Sequence, residues 1–187
     1  MSMITSKDLE RTFMSEFTKN IFYIRFIRNN LKRFRIWMVV RHIKQADIHI
    51  DLGCGDASLL KVSPCRQKIG LDYLYGDNIV STLDFADDFA DYITMLAFIE
   101  HLDDPILIIK ECYRVLKRRG HLIITTPFES SKKFLSLWNK NIESEHKQHF
   151  HKRSLEELLF PYFDIKIYKK YFLNQLIVCE KIERGEA

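Results

Sequence analysis

Asp51-Leu52-Gly53-Cys54-Gly55-Asp56-Ala57 follows the apolar run Ile48-His49-Ile50 and leads into Ser58-Leu59-Leu60. The order reads as a buried strand, a tight glycine turn and the first turn of a helix. Gly53 and Gly55 can take backbone angles closed to residues with a Cβ, and they let a ligand lie against the main chain. Asp51 sets a carboxylate at the carboxyl end of the strand, where open α/β sheets bind their ligands. A dinucleotide fingerprint would read Gly-x-Gly-x-x-Gly, its glycines serving a pyrophosphate. Here an acidic residue precedes the glycines. That repels phosphate and suits a cationic or hydroxyl-bearing ligand.

The flanking sequence alternates strands and helices. Strands are expected at 47–52, 67–72, 78–82, 91–96 and 121–126, and helices at 56–63 and 104–116, the latter with Pro105 in its first turn. A helix at 154–160 has Ser154 and Glu157 at capping-box spacing. Residues 163–180 read as two strands with a turn near 171–174. This alternation predicts a largely parallel, doubly wound sheet. Ahead of it, residues 7–43 read as helix in two pieces, with apolar Phe13, Phe17, Ile21, Ile24 and Ile27 at helical spacing and a break at Asn29-Asn30.

The 187 residues suit one domain, here a helical cap over 1–45 and an α/β core over 46–187. No apolar run approaches the ~20 residues of a membrane span, and no basic-then-apolar leader opens the chain. Cys54, Cys65, Cys112 and Cys179 form no CxxC pair, so free thiols and a cytoplasmic location are expected. The net charge of +4 conceals an asymmetry. Residues 1–46 hold ten Lys/Arg against three Asp/Glu, residues 47–109 three against twelve, and residues 110–187 sixteen against ten. The acidic middle contains the glycine turn. The basic N-terminal helices, with aromatics among their arginines, read either as a solvated cover for one sheet face or as a peripheral contact with anionic lipid or a phosphate-bearing substrate.

Asp51 to Ala57 resembles motif I of the class I S-adenosylmethionine (SAM) dependent methyltransferases, with Ala57 in place of the usual third glycine. Downstream, Glu100-His101-Leu102-Asp103-Asp104-Pro105 resembles the family's "EHLxDP" segment. Glu111-Cys112-Tyr113-Arg114-Val115-Leu116-Lys117 resembles its "E-x-x-RVLK". Gly120-His121-Leu122-Ile123-Ile124-Thr125-Thr126-Pro127 resembles "GxLIITTP", with Arg118-Arg119 where the family has Pro-Gly. The resemblance covers residues 47–127. It implies a Rossmann-like α/β fold with an antiparallel C-terminal strand, SAM as cofactor, and cofactor contacts from Asp51, Gly53, Gly55, Asp72, Tyr73, Met95 and Leu96. Asp72 is the residue matching the ribose acid, nineteen residues after Gly53. Two departures bear on the adenine side: the helix between the second and third strands is shortened or absent, and only Thr82 or Asp84 stands near the adenine acid's place.

Absences narrow the chemistry. The (Asn/Asp)-Pro-Pro-(Tyr/Phe) segment of amino methylases is replaced by Met95-Leu96-Ala97-Phe98, and Pro64-Cys65 lies outside the place of a cytosine-methylase nucleophile. His101 and His149 are the general-base candidates if the acceptor is a hydroxyl. His146, His149 and His151 lack HExxH or CxxC geometry, so no metal is expected. The expected function is methyl transfer from SAM to an oxygen or nitrogen of a small metabolite, sugar or lipid-linked acceptor. An RNA methylase and a non-catalytic SAM-fold binding or adaptor protein are the alternatives. No RNA-binding module is recognisable, so nucleic acid is not the expected partner.

Overall fold

The structure is a computed structural model that describes residues 29–76, 79, 82–128, 150–171 and 173–183. The chain divides into two compact units, Met1–Arg35 and Ile36–Ala187. Of the first unit, residues 29–35 are described, and Asn29 and Asn30, expected as a break, are themselves helical. The rest of the expected N-terminal helices lies outside the described residues.

In the second unit six strands form one sheet: β1 (Ile48–Leu52), β2 (Gln67–Leu71), β3 (Ala90–Leu96), β4 (Leu116–Pro127), β5 (Phe163–Tyr171) and β6 (Asn174–Lys181). Their order is β2-β1-β3-β4-β6-β5. β2, β1, β3 and β4 run parallel, while β6 lies antiparallel between β4 and β5. The helices are α1 (Ser58–Val62), α2 (Pro105–Val115) and α3 (Lys152–Leu159). Among the described residues no helix is long and apolar enough to cross a membrane.

The two-residue period of a strand sorts its side chains onto opposite faces. On one face Ile50, Leu52, Ile93, Met95, Leu122, Ile124 and Ile177 pack with Ile108 and Ile109 of α2 and Leu155 and Leu159 of α3. The alternate residues Tyr92, Ile123, Leu176 and Val178 pack with Val39, Ile43 and Leu59 on the other. Both faces are covered, as a parallel sheet requires. α2 shows why its sequence is a helix. Pro105, Ile108, Ile109, Cys112 and Val115 are buried at three- and four-residue spacing, and the Asp104 side chain accepts the Ile106 N–H at 3.1 Å.

Three boundaries differ from expectation. The strand expected at 78–82 falls largely on residues outside those described. Ile79 is described, buried in the main core and not in a strand, and β1 pairs directly with Ala90–Leu96. β4 starts at Leu116, with no turn after α2. Residues 117–120 instead bulge opposite Asp91, Arg119 takes φ +60°, and Lys117 Nζ holds both Asp91 oxygens at 2.9 Å. α3 starts at Lys152 because Ser154 is not its cap. The Ser154 hydroxyl accepts the His151 N–H at 3.0 Å and donates to the His151 carbonyl at 2.8 Å, while Glu157 pairs with Arg153 at 2.9 Å.

Candidate functional site

β1 ends in the interior of the sheet between β2 and β3, and the chain then turns through Gly53 (φ +73°), Gly55 (φ +53°) and Ala57 (φ +57°). The turn is pinned to the end of β2. Gly53 and Cys54 N–H groups donate to the Leu71 carbonyl at 2.8 and 3.2 Å. Gly55 N–H donates to Asp72 Oδ2 at 2.7 Å, and the Tyr75 hydroxyl donates to the Gly55 carbonyl at 2.7 Å. Asp72, just beyond the carboxyl end of β2, therefore anchors the glycine loop.

The two glycines answer different demands. A Cβ on Gly53 would lie 2.6 Å from Cδ2 of Phe98, whereas a Cβ on Gly55 would meet nothing within 4 Å. Gly53 lets the loop rest on the Phe98 ring; Gly55 leaves room above the main chain. Such a cradle, with Asp51 at the strand end and Asp72 beside it, fits a ligand carrying cationic and hydroxyl groups. Half-exposed Tyr73 leans on Phe98 with ring centroids 6.3 Å apart, forming an aromatic edge. Ala57, the third small residue of the turn, is left-handed like Gly53 and Gly55.

The other expected residues divide. Met95 is fully buried in the core cluster that includes Ile108 and Ile109 of α2. Leu96 is half-buried on the opposite face, the one that also carries Asp51. His101 ends the short 3₁₀ turn Ile99–His101 after β3, its N–H bonded to the Phe98 carbonyl at 3.0 Å. That places it on the segment that carries Phe98. His149, with His146, lies outside the described residues.

Sequence reading missed a chain of buried polar groups beneath Asp51. Thr94 lies beside Asp51 in the β1–β3 register and donates its hydroxyl proton to Asp51 Oδ1 at 2.6 Å. His49 Nε2 is 2.9 Å from Thr94 Oγ1, and His49 Nδ1 is 2.9 Å from Ser63 Oγ, just beyond α1. All four residues are buried. Burial first, and Lys68 second, push the His49 pKa from its ordinary 6.5 down to about 4. As pH falls below 6.5 the unfolded chain binds a proton at this position before the folded one does. Stability from His49 is thus complete above 6.5 and lost on descent to about pH 4, a loss of about 3 kcal/mol. Denaturant unfolding at stepped pH is expected to show a steeper acid loss for wild type than for His49→Gln. Equal slopes would refute a neutral buried His49.

The Glu111–Arg114 pair of α2 also gains a role. Arg114 donates to the carbonyls of Phe85 at 2.7 Å and Leu83 at 2.9 Å, to Asp87 at 2.8 Å, and through two nitrogens to Glu111. Glu111 in turn accepts the Leu83 N–H at 2.9 Å. The hydrogen bond from Arg114 is the main reason the Glu111 carboxyl sits below its usual range. This clamp fixes the segment that includes Asp84, beside exposed Thr82.

A family model described as a methyltransferase domain matches residues 20–160. Among solved structures, a SAM-dependent methyltransferase from Thermotoga maritima is similar at 20% identity, with 86% of this chain and 98% of that one covered and a TM-score of 0.63. One from Methanosarcina mazei shows 19% identity, coverage of 79% and 98%, and a TM-score of 0.58. Geranyl diphosphate C-methyltransferase from Streptomyces coelicolor, bound to Mg2+, geranyl diphosphate and S-adenosyl-L-homocysteine, shows 13% identity, coverage of 82% and 78%, and a TM-score of 0.65. Curated proteins gave no significant match.

Proposed function

The chain belongs to the methyltransferase-domain family of class I SAM-dependent enzymes, and we propose that it moves the SAM methyl group to an oxygen or nitrogen of a small metabolite, sugar or lipid-linked acceptor. The glycine turn pinned by Asp72 is the observation that carries this reading. SAM supplies an electrophilic methyl on a sulfonium, so the protein's work is alignment, with proton removal where the acceptor is a hydroxyl. Asp51 meets the amino-acid half of the cofactor and Asp72 the ribose hydroxyls, with Tyr73 as a flanking edge. The open space over Gly55 admits the ligand against the loop. In this reading His101, in the 3₁₀ turn that follows β3, takes a proton from a hydroxyl acceptor entering over β3 and β4.

Calorimetric titration with SAM and S-adenosylhomocysteine tests the cofactor site. Wild type is expected to bind both. Asp72→Ala loses a charged acceptor for the ribose and the post that holds Gly55, so affinity for both falls by at least tenfold, about 1.5–3 kcal/mol. No binding to wild type, or equal binding to the variant, would overturn the reading. The acceptor's class then follows from a labelled-SAM screen against metabolite, sugar and glycolipid pools.

A further inference from the structure

The path of protons beneath Asp51 has a direction. The Thr94 hydroxyl donates to Asp51 Oδ1 at 2.6 Å, and that bond uses its single proton. Thr94 Oγ1 must then be an acceptor toward His49, and the proton of the His49 ring lies on Nε2, 2.9 Å away. A neutral ring leaves Nδ1 bare, and the Ser63 hydroxyl at 2.9 Å donates to it. Ser63 Oγ itself receives the Cys65 N–H at 3.4 Å. Every donor is matched to an acceptor in one sense only, from Ser63 to Asp51. The low pKa of His49 supports the neutral ring.

We infer that Ser63, His49 and Thr94 form a one-way buried relay that holds the Asp51 carboxylate in place as an acceptor for the amino-acid half of the methyl donor. The inference rests on the reading that the donor lies over Asp51. With Oδ1 held by Thr94, the carboxylate cannot swing away from an incoming ammonium group. Ser63 sets the polarity from a distance. Without its proton, His49 is free to carry hydrogen on Nδ1 and to accept the Thr94 hydroxyl, which withdraws the donor from Asp51. Thr94, His49 and Ser63 are positioning residues, because they act through Asp51.

A merely structural network would weaken every ligand alike. The relay predicts that only ligands with the amino-acid half respond. The test compares S-adenosylhomocysteine with 5′-methylthioadenosine, which lacks the amino and carboxylate groups, by calorimetry on full-length protein. Thr94→Val is expected to lose about tenfold in S-adenosylhomocysteine affinity and to keep methylthioadenosine binding within about twofold. Thr94→Ser restores the wild-type ratio. Ser63→Ala shifts the ratio in the same direction, and nitrogen NMR of its imidazoles shows His49 leaving the Nε2–H tautomer. Asp51→Asn is the reference that must lose discrimination. If Asp51→Asn discriminates poorly while Thr94→Val and Ser63→Ala match wild type, or weaken both ligands equally, the relay is overturned and the donor site stands. If wild type binds neither ligand, or Asp51→Asn changes nothing, the donor-site reading fails and the relay's purpose with it.

Discussion

Gly53→Ala is expected to abolish SAM binding and to unfold the protein at distinctly lower temperature, whereas Gly55→Ala is expected to fold almost normally and still bind poorly. Both positions have positive φ, +73° and +53°, and a left-handed alanine costs roughly 1–2 kcal/mol at each. The difference is what the added methyl meets. At Gly53 it comes 2.6, 2.9 and 3.0 Å from three Phe98 atoms. Phe98 is part of the main buried cluster, so its ring has no free side to retreat into. Overpacking of this kind adds about 1–3 kcal/mol. The loop would have to lift from β2, breaking the Leu71 and Asp72 hydrogen bonds that shape it. At Gly55 the methyl enters the space above the loop that a ligand would use. The native left-handed Ala57 shows that the turn tolerates alanine where there is room. Thermal melts and cofactor titration of both variants check this. Equal melting temperatures for the two, or wild-type affinity in Gly55→Ala, would contradict the division of labour.

The glycine turn was legible because its chemistry is local. Few residue types can occupy alternate left-handed positions after a buried strand, so Gly53 and Gly55 reveal the turn without knowledge of the rest. The strand and helix order was legible for a related reason, since β1, β3 and α2 carry strong periodicity. What escaped was set by partners distant in sequence. Met95 and Leu96 are adjacent, yet the period of two sends Met95 into the core and Leu96 to the Asp51 face. His49 sat in an apolar run and passed as part of a buried strand. Its signal was there in retrospect: it lies two residues before Asp51, hence on the same face, and a buried imidazole needs two partners. Thr94 and Ser63 could be named only once β3 and the end of α1 were placed beside β1. Ser154 misled because a hydroxyl three residues before a glutamate fits two frames. Its bonds to His151 rather than to Glu157 decide between them.

Arg114 is where the second large effect is expected, and there the sequence showed the pattern without the reason. Arg114→Met keeps the aliphatic stem that packs along α2 and removes every donor. Two backbone carbonyls, of Leu83 and Phe85, lose their charged partner, and Glu111 keeps its negative charge while still tied to the Leu83 N–H. Removing one member of a buried pair costs about 3–5 kcal/mol. Here the arginine side chain is 31% exposed and the glutamate 16%, so solvent reduces the expected loss to about 2–4 kcal/mol. For a chain of this length that lowers the melting temperature by about 4–16 °C. Arg118→Met removes a bidentate partner of Glu183 as well, but the side chains of that pair are 75% and 50% exposed. Its loss should leave the melting temperature close to that of wild type, because solvent screens so exposed a pair. The two variants change the same charge, so only the clamp explains a difference between them. Joining Glu111→Gln to Arg114→Met should cost less than the separate losses combined, because the double variant no longer strands a carboxylate. Strictly additive losses, or a melting temperature for Arg114→Met equal to that of Arg118→Met, would show that the 83–87 segment holds its place without the clamp.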